Sequence, residues 1–176
     1  MPYPPAILSM AQNMALVEGL NSDPHENEYA MIWNSILTHH FPLHENYGVA
    51  PQISKLSSGK DPVIYTVAKV WPGRKEQTFL VAGFKKASEE TKMGKESLKR
   101  VLREIIEHLF ETTDVTKIYG LGGIGLCWTV FRMEKANFRA HEPEILIPWK
   151  SNITSARAFN DLSEVVEDMH DLAGQL

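Results

Sequence analysis

Apolar positions three and four residues apart mark out the helices of this chain, and runs of β-branched and aromatic residues mark out its strands. Tyr29, Ile32, Trp33, Ile36 and Leu37 fall on one helical face and are predicted to point into the core. Ser22-Asp23-Pro24 reads as the start of that helix, with a side-chain cap and a proline where its missing N–H costs nothing. The helix runs to about His40, and Phe41-Pro42 ends it. Lys95 to Thr112 is strongly amphipathic, with Leu98, Val101, Leu102, Ile105 and Leu109 on one stripe and Lys99, Arg100, Arg103, Glu104 and Glu107 off it. A last helix is predicted over about Thr154 to Leu172, with Phe159, Leu162, Val166, Met169 and Leu172 on one face.

Between these helices the pattern is extended. Tyr47 to Ile53 is strand-like, and a loop follows at Ser57-Ser58-Gly59-Lys60-Asp61-Pro62. Val63 to Val70 and Thr78 to Phe84 flank the turn Trp71-Pro72-Gly73-Arg74, as in an antiparallel hairpin. The second of these strands is apolar on both faces, which predicts a central position. Lys117 to Leu121 and Ile124 to Met133 are two more strands, with Gly122-Gly123 as a turn or bulge between them. Ile145 to Ile147 is predicted as a short edge strand stopped by Pro148. The order is helix, three strands, helix, two strands, short strand, helix. That order predicts an α/β fold: a mixed central sheet with helices on both sides and a right-handed parallel crossover through Lys95 to Thr112.

The length of 176 residues suits a single domain spanning 1–176, with a core over about 24–135 and a C-terminal helix over about 154–172. With 43% hydrophobic and 23% charged residues, the composition is that of an ordinary globular protein. The single cysteine, Cys127, cannot form an intramolecular disulfide or a thiolate metal cage, which favours a reducing compartment. No apolar run reaches the length of a membrane span. The stretch Ala6 to Leu20 lacks a basic lead and is interrupted by Gln12 and Asn13, so it makes a poor signal peptide. An intracellular protein, cytoplasmic or nuclear, is expected.

Charge changes the picture. Residues 55–103 hold 12 Lys and Arg against 5 Asp and Glu, while the rest of the chain holds 6 against 17. A basic middle between acidic ends is either a footprint for an anion such as nucleic acid or an ordinary solvated surface.

The segments Phe41-Pro42-Leu43, Tyr47-Gly48-Val49-Ala50-Pro51-Gln52, Asp61-Pro62-Val63-Ile64-Tyr65, Phe79-Leu80-Val81-Ala82-Gly83-Phe84-Lys85-Lys86 and Ile118-Tyr119-Gly120-Leu121-Gly122-Gly123-Ile124-Gly125 follow one another in an order and spacing that resembles the PD-(D/E)xK nucleases. The likeness is to fungal-type PD-(D/E)xK-like proteins and covers roughly Glu28 to Phe131. It implies a restriction-endonuclease-like core. In such a nuclease carboxylates hold Mg²⁺, which polarises the phosphate and activates a water, and a lysine stands beside that water. The acid and the lysine stand two apart on a strand so that both point to one face. The resemblance assigns Glu28 to the supporting helix acid, Asp61 to the first strand carboxylate and Lys85 to the catalytic lysine. Asp61 precedes a proline instead of following one. Gly83 occupies the position of the second acid and offers no ligand. Glu96 is the best substitute carboxylate, and Glu89 and Glu90 lie nearer on an expected loop. Asp61 and Glu96 are metal ligands only if the protein is active, and Mg²⁺ is the only cofactor implied.

Other chemistries fit less well. His39 and His40 are adjacent on a helix and diverge by about 100°, which disfavours a shared zinc ion with His44. Gly120-Leu121-Gly122-Gly123-Ile124-Gly125 lacks the Lys-Ser/Thr of a phosphate loop and is followed by a strand. Cys127 lies in an apolar β-rich run and reads as an inert buried thiol. Asn152-Ile153-Thr154 matches a glycosylation sequon by chance. The expected function is therefore a catalytically inactive nuclease-like protein that binds nucleic acid, through Lys86, Lys92, Lys95, Lys99 and Arg100, or a protein partner. The alternatives are an active Mg²⁺-dependent nuclease using Glu96, and a homodimeric interaction module with no nucleic-acid role.

Overall fold

The computed structural model describes residues 3–19, 26–52, 62–73 and 75–176. Four helices flank a six-stranded mixed sheet, in chain order α1 (Pro5–Gly19), α2 (Glu26–His40), β1 (Tyr47–Gln52), β2 (Val63–Lys69), β3 (Gln77–Lys85), α3 (Lys92–Thr112), β4 (Lys117–Ile124), β5 (Cys127–Glu134), β6 (Glu144–Lys150) and α4 (Ala156–Gln175). The strands lie in the spatial order β1-β2-β3-β4-β5-β6. All neighbours are antiparallel except β3 and β4, which run parallel because α3 returns the chain to its starting end. This is the α/β sheet-and-helix architecture that the alternating pattern predicts. Among the described residues no helix is long and apolar enough to cross a membrane.

The sheet separates two cores. On one side Trp33, Ile36, Phe41, Phe79, Phe84, Tyr119 and Trp128 pack with the buried faces of α1, α2 and α4. On the other side α3 is the one helix among the described residues that lies over Ile64, Val81, Ile118, Ile124 and Phe131. Its buried line is Gly94, Leu98, Leu102, Ile106 and Phe110. The expected stripe was centred one position off, and Val101, Ile105 and Leu109 are only half-buried. Phe159 and Leu172 are likewise half-buried in α4, where Ala158 and Ala173 sit against the core.

Three boundaries differ from the sequence expectation for identifiable reasons. Helix α1 fills a stretch to which no element had been assigned; its apolar residues Ile7 and Ala11 are buried. The turn after β4 falls at Gly125, where φ is +58°, and not at Gly122-Gly123. Gly122 and Gly123 stay inside β4; a Cβ on Gly123 would stand 2.7 Å from both Phe84 and Trp33. Strand β6 passes through Pro148 because Pro148 and Trp149 both stand opposite Thr129, in a bulge on the edge strand. The Thr129 hydroxyl donates to the Ile147 carbonyl at 2.7 Å beside this bulge. The Ser22-Asp23-Pro24 cap and the loop through Asp61 lie outside the described residues.

Candidate functional site

Strand β3 sends Val81, Gly83 and Lys85 to the α3 side of the sheet and Leu80, Ala82 and Phe84 to the other. Its C-terminal end is held from both sides. The Gly125 N–H donates to the Lys85 carbonyl at 2.9 Å, and the Trp33 indole Nε1–H donates to the Gly125 carbonyl at 3.1 Å. The Trp33 ring stacks on Phe84 with centroids 4.7 Å apart. These contacts fix where the Lys85 side chain begins.

The position two before Lys85, where the resemblance expects an acid, is closely packed. A Cβ on Gly83 would stand 2.9 Å from Leu102, 3.0 Å from Ile64 and 3.1 Å from Leu98. Glycine is therefore the residue that lets α3 approach the sheet here, with Gly122 beside it in the parallel register. A carboxylate at position 83 would displace packed aliphatic side chains and sit among them without water.

Lys85 is one of the few charged residues in the interior, its side chain 6% exposed. Its ammonium meets the Glu89 carboxylate at 3.2 Å, and Glu89 is 26% exposed. Glu89 closes a short 3-10 turn, Ala87–Glu89, within the connection between β3 and α3. Gly94 makes this turn possible, since a Cβ there would collide with the Glu89 carbonyl. Thr91 then caps α3 by accepting from the Gly94 N–H at 3.0 Å. Among the described residues the lysine thus has one acidic partner, supplied four residues later by the same chain.

The other expected site residues do not join this pair. Glu96 is exposed and two residues from Leu98, about 200° around the helix, so it faces away from the sheet. Among the described residues the carboxylate brought to Lys85 is Glu89 and not Glu96. Glu28 belongs to the first turn of α2, but its side chain, like the whole of Asp61, lies outside the described residues. Among the described residues no group of three or more His, Cys, Asp and Glu is gathered closely enough to hold a metal ion. Cys127 is half-buried at the start of β5, less enclosed than its apolar surroundings imply.

The basic run is partly neutralised. Lys95 pairs with Glu90 at 3.2 Å and lies 5.3 Å from the Trp149 ring. Lys99 approaches Glu142 at 3.9 Å, and Arg103 bonds Glu107 at 2.8 Å and Glu142 at 2.9 Å. The bond to Glu107 is the main reason the Arg103 pKa is raised, with Glu142 adding to it against the opposing effect of burial. Lys86 is half-buried beside Lys85. Lys92 and Arg100 are exposed, and among the described residues no carboxylate pairs with either. They flank a shallow depression with Met93, Glu96 and Ser97, and Met93 is 84% exposed. Lys92 and Arg100 thus lie on the outward face of the first turns of α3, with Glu96 beside them. The spacing of Lys85 and Glu89, four residues apart, was the one sequence signal that could have revealed the pair.

No protein-family model, curated protein or solved structure matches the chain.

Proposed function

We propose that this chain is a PD-(D/E)xK-like scaffold without nuclease chemistry, which binds nucleic acid through the outward face of α3. The observation that carries this reading is the filled position at Gly83, where Leu98, Leu102 and Ile64 leave no room for a metal-holding carboxylate. The order α2, β1, β2, β3, α3, β4, with β3 parallel to β4, supports the likeness to that superfamily. Lys85 is paired with its own neighbour Glu89, and among the described residues no cluster of acidic oxygens that could hold Mg²⁺ surrounds it. Lys92 and Arg100, which no carboxylate among the described residues pairs, supply positive charge for phosphate on either side of Glu96, and Met93 supplies apolar surface beside them. The displaced-carboxylate alternative draws no support from Glu96, which faces away from Lys85.

Fluorescence anisotropy with labelled duplex DNA and with single-stranded RNA, across a salt series, tests the binding. Affinity is expected to fall steeply with salt, and the double variant Lys92→Glu/Arg100→Glu is expected to bind at least about tenfold more weakly with a shallower salt slope. Binding that ignores both salt and charge reversal, or no binding at low salt, would favour the protein-interaction reading instead.

A further inference from the structure

The N-terminal segment and α1 stand apart from the elements that carry the proposed function, and a cluster of titratable rings anchors them. Tyr3, 1% exposed, places its ring 5.9 Å from His39, 5.9 Å from His40 and 4.7 Å from Phe159. The His40 ring stacks on Phe159 at 5.5 Å and lies 5.4 Å from His39. From α4, His170 sets its Nε2 3.0 Å from the His40 carbonyl, with its ring 4.9 Å from Tyr47. Three imidazoles on α2 and α4 thus meet beneath the start of the chain, and Ile7 and Ala11 extend the contact along α1.

Two buried polar atoms in this nest have no hydrogen-bond partner among the described residues: the Tyr3 hydroxyl and His40 Nε2. A neutral imidazole tolerates an unpaired acceptor nitrogen at modest cost. An imidazolium there would hold a charged N–H with no acceptor. The titratable groups packed around His40 are His39 on its own helix, Tyr3 from the N-terminal segment and His170 from α4. Burial first, then the neighbouring His39 and His170, push the His40 pKa down from 6.5 to about 4.

We propose that this cluster is an acid-sensitive latch, which holds α1 on the domain while His40 is neutral and releases it when His40 takes up a proton. The docked state resists the proton, so the released state binds it more readily. Docking is therefore complete above the ordinary histidine pKa and weakens as pH falls from about 6.5 towards about 4. If His40 titrates normally once released, the undocking constant rises about 20-fold between pH 7 and pH 5.

Hydrogen exchange of the full chain at pH 7 and pH 5, corrected for intrinsic exchange rates, reads this directly. Protection of the α1 amides is expected to fall about 20-fold while β3 and β4 keep theirs, and His40→Phe is expected to abolish the difference. Equal α1 protection at both pH values, the same loss in His40→Phe, or a parallel loss in β3 would overturn the latch. An NMR titration of the wild-type imidazoles covers the case in which His40→Phe fails to fold. A His40 pKa near 4 supports the latch, and one at or above 6.5 overturns it.

Discussion

The two faces of the sheet are packed by opposite means. On the side of α1, α2 and α4 the strands present large rings, among them Phe79, Phe84, Tyr119 and Trp128, and the helices rest on them. On the α3 side β3 and β4 present Gly83 and Gly122, where Leu98 and Leu102 of the helix come down towards the backbone, and Gly120, whose space the Phe131 ring fills. A catalytic centre needs a cavity lined with polar groups, whereas close helix approach needs that volume filled with aliphatic side chains. At Gly83, where the resemblance would place an acid, aliphatic packing occupies the volume.

The largest effect should come from the aromatic face. Trp33→Ala removes the stack on Phe84 and the bond to Gly125, and should cost about 5 kcal/mol in chemical denaturation. A loss below about 2 kcal/mol would mean that the ring side of the sheet does not hold the end of β3. Gly83→Asp sharpens the contrast: overpacking against Leu102, Ile64 and Leu98 plus an unpaired buried carboxylate should cost about 3 kcal/mol. Millimolar Mg²⁺ should not restore its melting temperature, and a metal-dependent recovery would show that the site accepts an ion after all.

A smaller effect is expected at the lysine. Glu89→Gln leaves the buried Lys85 ammonium without its carboxylate and should cost about 1–2 kcal/mol, discounted because Glu89 is partly exposed. Lys85→Met/Glu89→Gln should lie closer to wild type than Glu89→Gln alone, and a double variant that is the less stable of the two would show that the pair is not the relevant partnership. The smallest effect belongs to the surface. Glu142→Gln breaks the bridges to Lys99 and Arg103 and should change stability by less than about 1 kcal/mol, fading with added salt.

Much of the fold was legible because long amphipathic helices and β-rich runs carry strong periodicity. Tyr29, Ile32, Trp33, Ile36 and Leu37 are all buried, as their spacing predicts. The glycines of β4 misled because a glycine pair reads locally as a turn, whereas here Trp33, 90 residues away in sequence, claims the space beside Gly123. Helix α1 was missed because its apolar residues follow no clear helical stripe. The site was less legible than the fold. The resemblance sets an acid against Gly83, but what surrounds that glycine depends on Leu98 and Leu102, which only the crossover of α3 brings there. Glu96 was favoured by its distance along the chain, and the turn of the helix carries it to the far side.

Incubation of the purified chain with DNA and RNA in the presence of Mg²⁺ or Mn²⁺ tests the central claim most directly. No cleavage above the buffer control is expected from the wild type or from Lys85→Ala. Cleavage by the wild type that disappears in Lys85→Ala would contradict it.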